Sequence, residues 1–154
     1  MKIVFMGTPD YAVKTLEALV SSSHTVVAVF AQPDKPVGRK QILTSPPVKT
    51  CAEKYNIPVF QPQSVKNGDA LEILKGIAPD VIVVVAYGKI LPKEILTLPK
   101  YGCVNGHASL LPKYRGASPI QWSIVCGETK TGVTTMLMDE GMDTGDILET
   151  TKVE

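Results

Sequence analysis

Residues 1–30 read M-K-I-V-F-M-G-T-P-D-Y-A-V-K-T-L-E-A-L-V-S-S-S-H-T-V-V-A-V-F, and this stretch sets the fold class. Ile3 to Met6 is a short apolar run, stopped by Gly7-Thr8-Pro9-Asp10. Ala12, Leu16, Leu19 and Val20 then recur at helical spacing, with Thr8 or Asp10 available as a cap and Ser21-Ser22-Ser23 as the stop. Thr25 to Phe30 is a second, β-branched run. Strand, helix and strand in so short a span predict a parallel pair joined by a right-handed crossover.

The same alternation continues outward. Gln32 to Pro47 reads as a long Pro/Gly/Lys/Arg loop, Val48–Tyr55 as a short helix, Pro58–Phe60 as a brief strand and Ala70–Ile77 as another helix. Asp80 to Tyr87 holds V-I-V-V-V-A-Y, apolar on both faces as a central parallel strand is. Gly102–Asn105 is expected as the next strand, Ile120–Val125 as a helix, and Gly132–Met138 and Ile147–Val153 as strands. The predicted class is α/β: a doubly wound, mostly parallel, Rossmann-like sheet flanked by helices. One domain over 1–154 is expected. Because the chain stops inside a strand with no capping helix, a fragment incomplete at its C-terminus is also expected.

Composition narrows the function classes. Hydrophobic residues make up 44% and charged residues 20%, as in a globular domain with a real core. A net charge of +1 gives no global field for nucleic acid, so such a partner would need a local patch. Three cysteines at wide spacing and two histidines argue against a Cys/His zinc site and fit reduced thiols in the cytoplasm. The N-terminus lacks the pattern of a signal peptide, and no apolar segment is long enough to span a membrane.

Ligands in doubly wound sheets sit beyond the carboxyl ends of the strands. Asn105, His107, the Tyr87-Gly88 corner and the Asp139–Asp146 loop all follow predicted strands and are expected to share one cleft. Asn105 and His107 sit two apart, so they face one side of an extended segment. One supplies an amide donor and the other a proton shuttle, although a turn former beside a satisfied strand-end histidine is equally a structural pair. The loop M-D-E-G-M-D-T-G-D at 138–146 has three readings: a metal site, solvated carboxylates in a glycine-rich turn, or a carboxylate that orients His107. Gly7-Thr8-Pro9 lacks the glycines of a dinucleotide fingerprint and reads as a tight strand-to-helix turn. Lys35, Arg39, Lys40 and Lys49 make a basic loop, either plainly solvated or in contact with phosphates.

Taken together, these segments resemble the methionyl-tRNA formyltransferase family. The resemblance rests on F-M-G-T-P-D-Y-A at 5–12, F-A-Q-P-D-K-P-V-G-R at 30–39 and V-V-V-A-Y-G-K-I-L-P at 83–92. It continues through N-G-H-A-S-L-L-P-K-Y-R-G-A-S-P-I-Q-W at 105–122 and T-G-V-T-T-M-L-M-D-E-G-M-D-T-G-D at 131–146. The wider superfamily of formyltetrahydrofolate-dependent formyltransferases shares the Asn-x-His, S-L-L-P and D-x-G parts.

The resemblance implies a catalytic Asn105, His107 and Asp143, with Asp143 chosen because it opens D-T-G. It implies that Ser109, Leu110, Leu111 and Pro112 contact the folate, and that Tyr87, Gly88, Ile90 and Leu91 wall the pterin pocket. It also implies that Arg39 and Lys40 contact tRNA. The formyl donor implied is 10-formyltetrahydrofolate, with no metal, and the acceptor is the amino group of methionine on initiator tRNA. The family's full-length member is expected to be a cytoplasmic monomer with a C-terminal tRNA-binding β-barrel, which is expected to lie outside these 154 residues. Two departures stand out: Gly106 replaces a usually bulkier residue, and Lys40-Gln41 stand where Gly and Lys are common. The same site suits a sugar-nucleotide formyltransferase or a formyltetrahydrofolate hydrolase, and a folate-binding fragment without activity is a further alternative.

Overall fold

In the computed structural model, which describes residues 1–154, β1 (Lys2–Gly7) is buried from Ile3 onward. It pairs in parallel with β2 (Thr25–Phe30) on one side and β6 (Val81–Val85) on the other. Successive side chains of a strand point to opposite faces, so each of these strands needs apolar residues at every position. Val4, Met6, Phe30, Ile82 and Val84 enter one core with α3 (Asp69–Ile77) and α4 (Lys93–Leu96). Phe5, Val29 and Val85 enter the other with α1 (Asp10–Val20) and α2 (Pro47–Lys54). The sheet is therefore covered on both sides, as the β-α-β opening predicts.

The full sheet has seven strands in the order β5-β2-β1-β6-β7-β8-β9. From β5 (Val59–Phe60) across to β7 (Cys103–His107) the five strands are parallel to one another. After α5 (Pro119–Val125), β8 (Thr131–Leu137) runs antiparallel to β7, and β9 (Ile147–Val153) antiparallel to β8. Every residue of β9 is exposed along the sheet edge.

Four details differ from the sequence reading. Neither Thr8 nor Asp10 caps α1: Pro9 occupies the cap position and makes no side-chain bond. The Thr8 hydroxyl instead donates to the Tyr87 carbonyl at 2.9 Å, tying the ends of β1 and β6 together. The Gln32–Pro47 loop contains a separate hairpin of β3 (Lys35–Val37) and β4 (Ile42–Thr44), closed by a turn with positive φ at Gly38 and Gln41. α4, a single turn after Pro92, went unread. Finally, β7 runs two residues beyond Asn105, so His107 is a strand residue like Asn105 and does not lie after the strand.

Candidate active site

β7 pairs with β6 through Cys103–Asn105 and with β8 through Val104–His107, so the ladder is two-sided at Asn105 and continues on the β8 side at His107. Asn105 and His107 point to the same face, as their spacing requires. The His107 ring is buried, and its Nε2 lies 2.8 Å from the Tyr114 carbonyl, to which it donates. Its Nδ1 lies 3.5 Å from Asp143 Oδ2. Both ring nitrogens thus face oxygen acceptors, and only the doubly protonated ring donates to both.

Asp143 comes from the acidic loop and is held in a left-handed conformation, φ +53°. Its short contact is with the Gly116 amide, which donates to Oδ2 at 2.7 Å. Asn105 Nδ2 donates to Oδ1 at 3.4 Å, a loose hydrogen bond. Arg115 Nε donates to the Asp143 carbonyl at 3.1 Å, leaving the rest of the exposed guanidinium at the mouth. Asp143 is therefore fixed by backbone groups, while its contacts with Asn105 and His107 are long enough to be exchanged for a substrate oxygen.

The rest of the acidic loop builds the support for Asp143. Asp139 Oδ1 accepts from the Thr144 hydroxyl at 2.6 Å and the Gly141 amide at 2.9 Å. The Thr144 hydroxyl is the main reason the Asp139 carboxyl is held below its ordinary range. Glu140 pairs with Lys93 at 3.0 Å. Gly145 lies against the Leu137 carbonyl, where any side chain would collide with backbone, so the glycine of D-T-G is a steric requirement. No three His, Cys, Asp or Glu side chains gather as a metal site. Asp139 holds the loop's own backbone and Thr144, and Asp143 faces Gly116, Asn105 and His107.

The S-L-L-P segment runs directly on from β7. The Ser109 hydroxyl is fully buried and donates to the Lys113 carbonyl at 2.6 Å, so it braces the segment and does not face a ligand. Thr134 on β8, unremarked in the sequence, donates to the Ser109 carbonyl at 2.7 Å and accepts from the Leu111 amide at 3.1 Å. Leu110 and Pro112 line an open cavity of about 340 Å³ with Lys113, Tyr114, Glu128 and Thr131.

Residues 87–91 behave differently from a uniform pocket wall. Ala86 turns with φ +48°, which sends Tyr87 inward, and Tyr87 and Leu91 both sit in the core. Burial pushes the Tyr87 phenol up to about 12, and its hydroxyl has no hydrogen-bond partner. Gly88 and Ile90 are the exposed members of this corner. Gln32 Nε2 also donates to the Tyr87 carbonyl, at 3.2 Å, so the ends of β1, β2 and β6 converge on one oxygen. Arg39 and Lys40 are exposed at the tip of the β3–β4 hairpin, in a segment separate from the Asn105–His107–Asp143 cluster.

The formyl transferase family profile matches residues 1–154. The chain belongs to the formyl transferase family. It is 60% identical over 148 residues to the methionyl-tRNA formyltransferase of Pelotomaculum thermopropionicum, covering 96% of this chain and 47% of that relative. It is 57% identical over 154 residues to the methionyl-tRNA formyltransferase of Alkaliphilus oremlandii, covering 100% of this chain and 50% of that relative. The chain thus spans about half the length of the curated relatives it matches. Its fold superimposes on the phosphoribosylglycinamide formyltransferase of Bacillus halodurans with a TM-score of 0.78 at 23% identity, covering 99% of this chain and 79% of that one. Like the solved structure it superimposes on, the chain has the Rossmann-like architecture its opening residues predict. Tyr114, Gly116 and Thr134 are the site residues that sequence reasoning missed, Tyr114 and Gly116 because they act through backbone atoms.

Proposed function

We propose that this chain is the catalytic half of a methionyl-tRNA formyltransferase. It would move the formyl group of 10-formyltetrahydrofolate to the α-amino group of methionine esterified to initiator tRNA. The observation that carries the reading is the convergence of Asn105, His107 and Asp143 from two distant segments onto one face of β7.

The neutral amine attacks the formyl carbon, and negative charge develops on the formyl oxygen. The Asn105 amide and the cationic His107 ring donate to that oxygen, the type of interaction that usually dominates acyl transfer. His107 Nε2 is already committed to Tyr114, so Nδ1 is the nitrogen that serves the substrate, giving up its loose contact with Asp143. Asp143 orients the ring before the substrate oxygen takes Nδ1, and it then carries the amine proton toward the folate nitrogen as the carbon–nitrogen bond to folate breaks. No covalent enzyme intermediate is required. Leu110 and Pro112, with the exposed corner at Gly88 and Ile90, supply apolar surface for the donor. Arg39 and Lys40, at the end of a projecting hairpin, offer charge to the phosphates of the acceptor.

The test is a competition assay on the natural full-length protein. It offers formyl donor with charged initiator tRNA, with a nucleotide amino-sugar, and with water alone. Formylation of the tRNA in preference to the other two is expected. Preferential formylation of the amino-sugar, or release of formate without an acceptor, would replace this reading with one of the other two activities.

A further inference from the structure

Tyr114 is the only aromatic residue of the chain in the left-handed backbone region, with φ +56°. That region is disfavoured for any residue bearing a Cβ, and such conformations persist where the surroundings enforce them. Here the conformation turns the Tyr114 carbonyl onto His107 Nε2. A glycine would adopt the same turn without strain. What the tyrosine adds is its hydroxyl, which donates to Glu128 Oε1 at 2.8 Å. The same oxygen accepts from Lys113 Nζ at 2.7 Å.

The Lys113–Tyr114 pair is therefore tied twice: its backbone to Ser109, and both side chains to Glu128. Packing does not substitute for these ties, because the open cavity of about 340 Å³ lies against Lys113, Tyr114 and Glu128. The two donors hold the Glu128 carboxyl below its ordinary value, Lys113 most of all. The Cys126 thiol, followed by Glu128, pushes the Tyr114 phenol above its ordinary range, so it remains a donor. Polar contacts thus tie down the segment that carries the Tyr114 carbonyl.

We propose that Tyr114, Glu128 and Lys113 form a positioning clip that fixes the Tyr114 carbonyl and thereby the orientation of the His107 ring. The three are positioning residues: they act on His107 and do not touch the reacting atoms. Holding Nε2 on a fixed carbonyl keeps Nδ1 aimed at Asp143 and the space beside Asn105. This inference rests on the catalytic reading of His107, but its readout does not.

The experiment uses natural full-length protein labelled with 15N-histidine, together with formyl-transfer kinetics. The His107 resonance is assigned by its loss in His107→Gln. Tyr114→Phe and Glu128→Ala are expected to raise exchange of the His107 Nε2 proton about tenfold, since a protected proton reports local opening. The same variants are expected to lower kcat about tenfold, with KM for the formyl donor within about twofold, the effect of a small misplacement of a reacting group. Glu128→Gln, whose amide oxygen still accepts from the phenol, is expected to restore most of both readouts. Tyr114→Gly separates stability from positioning: it relieves the backbone yet loses the clip, so a purely structural role predicts wild-type behaviour and the clip predicts loss. Unchanged proton exchange and unchanged kcat in Tyr114→Phe and Glu128→Ala would overturn the proposal. Retained turnover in His107→Gln would instead sink the catalytic reading, leaving the proton-exchange result to judge the clip.

Discussion

Replacing Asp143 with asparagine tests the site with almost no change of shape. Asp143 Oδ2 accepts from the Gly116 amide at 2.7 Å and faces His107 Nδ1 at 3.5 Å, while Oδ1 accepts from Asn105 Nδ2 at 3.4 Å. An asparagine has one oxygen to offer. With that oxygen at the Oδ2 position, both Gly116 and His107 keep an acceptor. The new amide nitrogen then meets the Asn105 amide nitrogen, donor against donor. Asn105 relieves the conflict by flipping, which carries its donor away from the space it shares with His107 Nδ1. Under the proposed function, the substitution thus removes one oxyanion donor and the carboxylate charge that faces His107 Nδ1. Loss of one such donor costs about 3 kcal/mol, or about a hundredfold in kcat. Stability should change by no more than about 1 kcal/mol, because the Gly116 hydrogen bond survives. The assay is steady-state formyl transfer by the natural full-length protein, beside thermal unfolding. Turnover within about threefold of the unsubstituted protein, in a folded variant, would refute the reasoning.

Three further outcomes are expected. Arg39→Ala should raise KM for charged tRNA several-fold and leave KM for the folate donor and the melting temperature unchanged; equal losses for both substrates would argue against a tRNA contact. Gly106→Ala should raise the urea midpoint by an amount equivalent to about 0.5 kcal/mol, from reduced freedom of the unfolded chain, provided that Val85 Cγ2, the one atom the added Cβ meets, at 3.3 Å, gives by a few tenths of an ångström. A lowered midpoint would show that Val85 cannot yield. Asp34 and Glu128 have carboxyls held below their ordinary values of 3.8 and 4.5, chiefly by the Gln61 hydrogen bond and by Lys113 respectively. Lowered folded-state values stabilise the fold above the ordinary carboxylate range, and this stability is lost as pH falls through the folded-state values. Urea midpoints should therefore drop on acidification through that window, with a shallower drop in Asp34→Asn; an identical pH profile for the variant would exclude the Asp34 contribution.

The strand–helix–strand framework was legible because its apolar runs are interrupted by Gly, Pro and Ser at the element ends. The β3–β4 hairpin was not, because its strands are three residues long, carry Pro36 and bury no face. Thr8 was legible as a polar residue at a helix start, but its true partner is a carbonyl 79 positions away. The burial of Tyr87, expected as a pocket wall, has a local reason: the positive φ at Ala86 breaks the alternation of β6 and turns Tyr87 into the core. Ser109 was grouped with Leu110 and Pro112 by motif, yet its hydroxyl turns back to brace the segment that the motif names. The choice of Asp143 over Asp139 and Asp146 came from the D-T-G pattern. The structure supplies a physical counterpart: Asp139 is consumed by its own loop, while Asp143 faces Asn105 and His107.

The proposed chemistry divides between supports of different stiffness. Asn105 stands where its strand is bonded on both sides and His107 where it is bonded to β8, so neither side chain's origin can drift without breaking the ladder. Gly106 between them is the one point of freedom, and its backbone is still paired with Thr135. Asp143 arrives on a loop, but that loop is tightened by Asp139 and closed by the Leu137 amide donating to the Asp146 carbonyl at 2.8 Å. The hairpin bearing Arg39 belongs to neither system: β3 and β4 pair only with each other. Residues at its tip can therefore change without moving Asn105, His107 or Asp143. Under the proposed function, acceptor choice and formyl transfer are mechanically separable, and an exchange of the Gly38–Gln41 turn should alter which acceptor is used before it alters how fast a bound acceptor reacts.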